Sequence, residues 1–264
     1  MQLPLYQVDA FADRLFGGNP AAVCPLDEWL PDATLQAIAA ENNLSETAFV
    51  VPEPDGLRIR WFTPTAEVRL CGHATLAAAW VWLHRWREGP WPEAVTFRSL
   101  SGPLTVTPEP GDRLTLDFPR EPFAPATAPE ALSQGLGVAV QEVVAGQDWL
   151  VRLVDETAVR ALQPDLERLR RLDRRGVIVT AEGDDSGFVS RFFAPNFGIA
   201  EDPVTGSAHC MLTPFWAQRQ GRSRFRARQL SARGGELACE LAGERVRITG
   251  GVVPYLEGTV TLPA

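Results

Sequence analysis

The chain has 264 residues, 45% of them hydrophobic, which suits one large or two ordinary packed domains and excludes a disordered chain. Its net charge of -8 gives the surface as a whole no attraction for nucleic acid or anionic membrane. All 25 basic residues are Arg. The lack of Lys excludes a lysine Schiff base, hence pyridoxal-phosphate chemistry of the usual kind, and also a P-loop. No G-x-G-x-x-G follows a predicted strand, so a dinucleotide cofactor has no support. Cys24, Cys71, Cys210 and Cys239 show neither metal-ligand spacing nor a secreted disulfide framework. The first thirty residues lack a basic start and an apolar run, and the longest apolar run, Ala74 to Leu83, is too short to span a bilayer. The expectation is a reduced, soluble, cytoplasmic protein that needs no metal and no organic cofactor.

In chain order, Pro31 to Glu41 reads as a polar amphipathic helix, with Pro and acid in its first turn. Arg58 to Phe62 alternates as strands do. Ala74 to Leu83 has no polar face, and a helix apolar all round must be buried all round. Val95 to Ser99 and Arg113 to Phe118 read as further strands. Four prolines in the eleven residues from Pro119 to Pro129 read as an extended linker. This places a boundary near residue 120, giving halves 1–120 and 121–264, with the chain end free to pack back on the first half. Pro164 to Arg175 reads as a helix stopped by Gly176, and Val177 to Thr180, Phe188 to Phe193 and Arg245 to Ile248 as strands. Ser207 to Ala217 reads as a second buried helix, kinked at Pro214. The Arg clusters 168–175 and 222–228 read as solvated helix and strand faces.

The two halves repeat one plan. Arg60-Trp61-Phe62-Thr63-Pro64 is echoed by Arg191-Phe192-Phe193-Ala194-Pro195, Glu67 by Glu201, and Gly72-His73-Ala74 by Gly206-Ser207-Ala208. Gly102-Pro103-Leu104 matches Gly235-Glu236-Leu237, and Gly111-Asp112-Arg113 matches Gly243-Glu244-Arg245, all at offsets of 131 to 134 residues. Five matches in one order imply an internal duplication. The predicted fold class is α+β: two pseudo-symmetric domains, each a mostly antiparallel sheet wrapped around a central buried helix.

Both buried helices start at a Gly followed by a polar residue, Gly72-His73 and Gly206-Ser207. A first helical turn presents unpaired N–H groups and the positive end of the dipole, and Gly lets a ligand approach closely. Two such ends in symmetric halves would converge on one anion in an interdomain cleft. The alternative is that both glycines only permit tight loop-to-helix turns. An anion such as a carboxylate, held there, would have its developing enolate stabilised, and the chemistry would then need a base. Glu46, between a polar helix and an apolar strand, can be poised for that role by desolvation, or is an ordinary capping residue. His73 and Asp202 add polar groups near the two helix starts; a structural His and a turn Asp before Pro203 are the other readings.

Four segments carry a family resemblance. Gly18-Asn19-Pro20-Ala21-Ala22-Val23, Ser45-Glu46-Thr47-Ala48-Phe49, Cys71-Gly72-His73-Ala74-Thr75 and Glu201-Asp202-Pro203-Val204-Thr205-Gly206-Ser207-Ala208-His209 resemble, in order, the signature segments of the phenazine-biosynthesis (PhzF-like) isomerase family. The resemblance runs from about Tyr6 to the C-terminus and implies a diaminopimelate epimerase-like architecture. It further implies a cofactor-independent, homodimeric isomerase acting on a small carboxylate. Glu46 would move the proton, with His73, Asp202 and the Gly206-Ser207 loop around the substrate.

Other classes remain in view. A two-cysteine epimerase would want thiols at equivalent places, but Cys71 aligns with Thr205 and Cys210 with Leu76. A serine hydrolase built on Ser207 lacks a G-x-S-x-G elbow. A non-catalytic binding protein for small acids would keep the cleft and leave Glu46 idle.

Overall fold

A computed structural model describes residues 1–54 and 56–263, and the chain divides into two compact units, Met1–Asp117 with Thr249–Ala264, and Phe118–Ile248. The first unit carries strands β1 (Gln2–Ala10), β2 (Asn19–Pro25), β3 (Glu46–Glu53), β4 (Gly56–Phe62), β5 (Glu67–Val68), β6 (Val95–Ser99), β7 (Gly102–Glu109) and β8 (Arg113–Pro119). It also carries helices α1 (Asp32–Asn42) and α2 (Gly72–Val81). The second carries β9 (Ala124–Pro125), β10 (Glu142–Ala145), β11 (Trp149–Arg152), β12 (Val177–Glu182), β13 (Phe188–Phe193), β14 (Arg224–Gln229) and β15 (Gly235–Ala242). Its helices are α3 (Glu130–Leu136), α4 (Glu156–Ala161), α5 (Leu166–Leu169) and α6 (Gly206–Gln220). The last strand, β16 (Arg245–Thr261), lies beside β15 at its start and pairs with β1 at its end.

In the first unit the strand order β1-β2-β3-β4-β6-β7-β8-β16 closes on itself through the β1–β16 pairing. Inside lies α2, packed against β1, β2, β3 and β7, with every residue from His73 to Val81 buried. This is the burial its all-round apolar sequence requires. On the outer face, Leu35, Ile38 and Ala39 of α1 pack on Phe49, Val51 and Phe62 of β3 and β4.

The second unit repeats the scheme as the row β15-β14-β13-β12-β11-β10-β9. Antiparallel pairs dominate, and the two parallel pairs fall at corresponding places: β2–β3 and β4–β6 in the first unit, β11–β12 and β13–β14 in the second. Strand β12 is buried on both sides. Val177, Val179 and Ala181 join the core under α3, α4 and α5, while Thr180 accepts a hydrogen bond from Trp216 Nε1 of α6 at 3.0 Å. The α6 helix runs through Pro214 to an αL cap at Gly221.

Two predicted elements change length. The helix expected over 164–175 is one turn, Leu166–Leu169, capped by the Asp165 side chain. Arg168, Arg170, Arg171, Arg174 and Arg175 would stack like charges at i,i+3 and i,i+4 in a continued helix, which disfavours it. The strand expected over 245–248 extends to Thr261. In β14, Arg224, Arg226 and Arg228 alternate with the buried Phe225, Ala227 and Gln229 and pair with Glu240, Glu236 and Glu156, the solvated strand face expected of that cluster. No helix among the described residues is long and apolar enough to cross a membrane.

Candidate active site

In the first unit the polar groups gather where β3 begins and α2 starts. Helix α1 ends with Asn43 in the left-handed region, and the chain turns at once into Glu46, the first residue of β3, which pairs with Ala21 of β2. The preceding Ser45 hydroxyl donates to Asn19 Oδ1 at 3.2 Å. Gly18 makes that placement possible: its φ is +64°, and a Cβ there would sit 2.2 Å from the Ala10 carbonyl oxygen.

His73, in the first turn of α2, lies between two partners. Its Nδ1 is 3.5 Å from Cys71 Sγ, and its Nε2 is 3.1 Å from Glu46 Oε2. The latter is an ion-pair distance without hydrogen-bond geometry, so Glu46 Oε2 and His73 Nε2 are both buried with no hydrogen-bond partner in the protein. Burial opposes a charged imidazole at His73, yet Cys71 and the Glu46 carboxylate outweigh it and hold His73 well above the ordinary histidine range. Burial also pushes the Cys71 thiol up to about 11. Glu46, Cys71 and His73 each bring a ligand-type atom within 4.8 Å of the others. A metal held there would have to displace the proton that burial keeps on Cys71.

In the second unit Thr205 is the extended N-cap residue of α6, and Gly206 and Ser207 form its first turn. The Asp202 carboxylate accepts from Thr205 Oγ1 at 2.5 Å. Gln229, 1% exposed, clamps this loop: its Oε1 accepts from Thr205 N at 2.8 Å, and its Nε2 donates to the Asp202 carbonyl at 2.8 Å. Arg175 donates to Ser207 Oγ at 2.9 Å and holds both oxygens of the buried Asp148, at 2.9 and 2.5 Å.

The structure therefore brings Glu46, Gly72 and His73 together in one unit, and Asp202, Gly206 and Ser207 together in the other. Gln229, Asp148 and Arg175 are additions that local sequence did not single out. Gln229 is the inward position of an alternating strand, a polar residue where Phe225 and Ala227 are apolar, and that break in pattern was its available signal. Arg175 was hidden in a run of arginines whose other members face solvent or the surface.

The duplication holds at the level of side chains. Arg60 grips Glu67 at 2.7 and 2.7 Å while Arg191 grips Glu201 at 2.7 and 3.0 Å. Arg60 also lies over the Phe62 ring at 5.1 Å, and Arg191 over Phe193 at 5.0 Å. At the helix starts, Thr75 Oγ1 donates to the Cys71 carbonyl at 2.5 Å, and His209 Nδ1 to the Thr205 carbonyl at 2.8 Å.

The profile of the phenazine biosynthesis-like proteins matches residues 8–258. The chain belongs to that family. It is 53% identical over 262 residues to an uncharacterized isomerase of Pseudomonas aeruginosa, covering 99% of this chain and 100% of the relative. The crystal structure of a phenazine biosynthesis PhzF-family protein from Enterococcus faecalis superposes with a TM-score of 0.95 at 45% identity, covering 99% of this chain and 100% of that one. A hydroxyproline epimerase from Agrobacterium vitis, at 14% identity and a TM-score of 0.63, covering 98% and 92%, shares the fold. The chain is thus an isomerase of the phenazine biosynthesis-like family, with the epimerase-type fold that the resemblance implied.

Proposed function

We propose that this isomerase works without a cofactor and moves a proton on a small carboxylic acid held in a cleft between the two halves. The observation that carries the reading is the Glu46–His73 pair. Its facing Oε2 and Nε2 atoms are buried, form an ion pair 3.1 Å apart and have no further hydrogen-bond partner in the protein. An acid and a base that partner only each other in a buried site beside a helix start support a ligand-facing role. Glu46 is the base that takes the proton. His73, kept protonated by its neighbours, donates to the substrate and stabilises negative charge that develops on it. The first turns of α2 and α6, at Gly72-His73 and Gly206-Ser207, bind the carboxylate. Asp202, whose carboxylate already accepts from Thr205, is the second acid–base group.

A thiol pair fits less well. Burial pushes Cys210 up to about 12 and Cys71 up to about 11, away from the thiolate that such chemistry needs. The same reading takes the protein as cytoplasmic and homodimeric; a monomeric mass at micromolar concentration would remove the dimer.

The test uses small unsaturated acids in D2O, screened for solvent deuterium incorporation. Glu46→Gln keeps the volume and removes the proton acceptor. It is expected to lose about 10²-fold or more in turnover with little change in binding. Equal incorporation by the variant and the wild type would rule out Glu46 as the base.

A further inference from the structure

We propose that Arg175, anchored by Asp148, is a positioning residue that turns the Ser207 hydroxyl into a hydrogen-bond donor for the substrate carboxylate. The proposal rests on the reading of the α6 start as the carboxylate site. Its physical basis is the inventory of donors. A serine hydroxyl has one proton and two lone pairs, and a guanidinium is donor-only. The 2.9 Å bond from Arg175 Nη1 to Ser207 Oγ must therefore use a lone pair of the serine oxygen. The Ser207 proton is then left to point at an acceptor, which a carboxylate is and an ammonium or amide N–H is not.

The guanidinium is fixed rather than free. Asp148, 2% exposed, takes Nε at 2.9 Å and Nη2 at 2.5 Å in a two-pronged grip, and the Phe192 ring lies 5.3 Å from the guanidinium carbon. A cation at the N-terminus of a 15-residue helix opposes the helix dipole. A helix optimised for stability alone would carry an acid there, and α6 has none in its first turn. The buried Asp148 carboxylate, with Asp202 adding to it, offsets the guanidinium charge. The first unit has no such arrangement at its equivalent position: His73 occupies it and faces Glu46. The two helix starts are thus assigned different work, proton handling at His73 and carboxylate orientation at Ser207.

The experiment follows the backbone amide resonances of Gly206 and Ser207 in the 15N-labelled protein during titration with acetate. Wild type is expected to show saturable shifts at both amides. Arg175→Gln and Ser207→Ala are each expected to weaken acetate binding by about tenfold, the usual worth of a hydrogen bond to a charged group. The double variant is expected to be no weaker than either single one, because the arginine acts through the serine. Arg175→Gln strips a buried carboxylate of its partner, so the Arg175→Gln, Asp148→Asn pair, which removes both charges, carries the same expectation in a folded protein. Saturable wild-type shifts with unchanged affinity in Arg175→Gln would overturn the proposal alone. Additive losses would overturn it too, by showing that Arg175 meets the anion directly. Absence of wild-type shifts at both amides would remove the carboxylate reading of the α6 start, and this proposal with it.

Discussion

The two halves share their scaffold and differ at the first turn of their central helices. Arg60–Glu67 and Arg191–Glu201 are the same brace built twice, as are the bonds that Thr75 and His209 send to the carbonyl before each central helix. At the first helical turn the copies part. His73 stands beside Glu46 and a thiol and is held protonated, whereas Ser207 accepts a hydrogen bond from a guanidinium. Duplication supplied two equivalent helix starts, and single side chains set a different polar environment at each. The two buried histidines make the same point. His73, beside Cys71 and Glu46, titrates high; His209, beside the Phe188 ring and with its Nδ1 bound to a carbonyl, is pushed by burial down to about 4.

The brace offers the largest test of the comparison. Arg191 is 9% exposed and also donates to the Leu162 carbonyl at 2.6 Å, whereas Arg60 adds the exposed Asp32 and lies over the Trp29 ring. Arg191→Ala should therefore cost about 3–5 kcal/mol in urea denaturation, the range for breaking a buried pair. Arg60→Ala should cost about half that. Equal losses would mean that the two braces are energetically as alike as their geometry.

The histidines give a smaller, signed effect. An unfolded His titrates near 6.5 and folded His209 near 4, so between these values the unfolded chain binds the extra proton. His209 thus adds stability above about pH 6.5 that fades as pH falls toward 4, at no more than about 1.4 kcal/mol per pH unit. His73, shifted upward, does the reverse: its contribution is present below about pH 6.5 and fades as pH rises through its folded value. His209→Gln should accordingly shrink the loss of stability between pH 7 and pH 5 by about 1–2 kcal/mol. Denaturation curves at the two pH values check it, and an unchanged difference would mean that His209 is already charged in the fold.

The smallest effect concerns Thr75. Thr75→Val keeps the shape and removes the 2.5 Å bond to the Cys71 carbonyl, which still accepts from Thr75 N at 3.3 Å. A loss of about 1 kcal/mol, or about 2–4 °C in Tm, is expected. A much larger loss would show that this bond also sets the Cys71–His73–Glu46 geometry.

Much of this was open to reading in one dimension. The apolar run at Ala74 to Leu83 could only be a buried helix, and the spaced echoes of Arg60, Glu67 and Gly72 at Arg191, Glu201 and Gly206 declared the duplication before any contact was known. His73, Asp202 and Ser207 could be named because each sits within a few residues of a helix start, where local backbone chemistry restricts what a side chain can do, and Glu46 because it lies between a polar helix and an apolar strand in a family-type segment. Tertiary structure decided the partners. That His73 faces Glu46, that Gln229 clamps the Asp202–Thr205 loop and that Asp148 delivers Arg175 to Ser207 depend on residues 24 to 32 positions apart or more. Strand order and register set those meetings, since a single-residue slip in a strand turns every side chain to the other face. The same reason hid Arg175: in sequence it is one arginine of several, and only the turn that ends α5 early and the start of β12 bring it from a charged run to the head of α6.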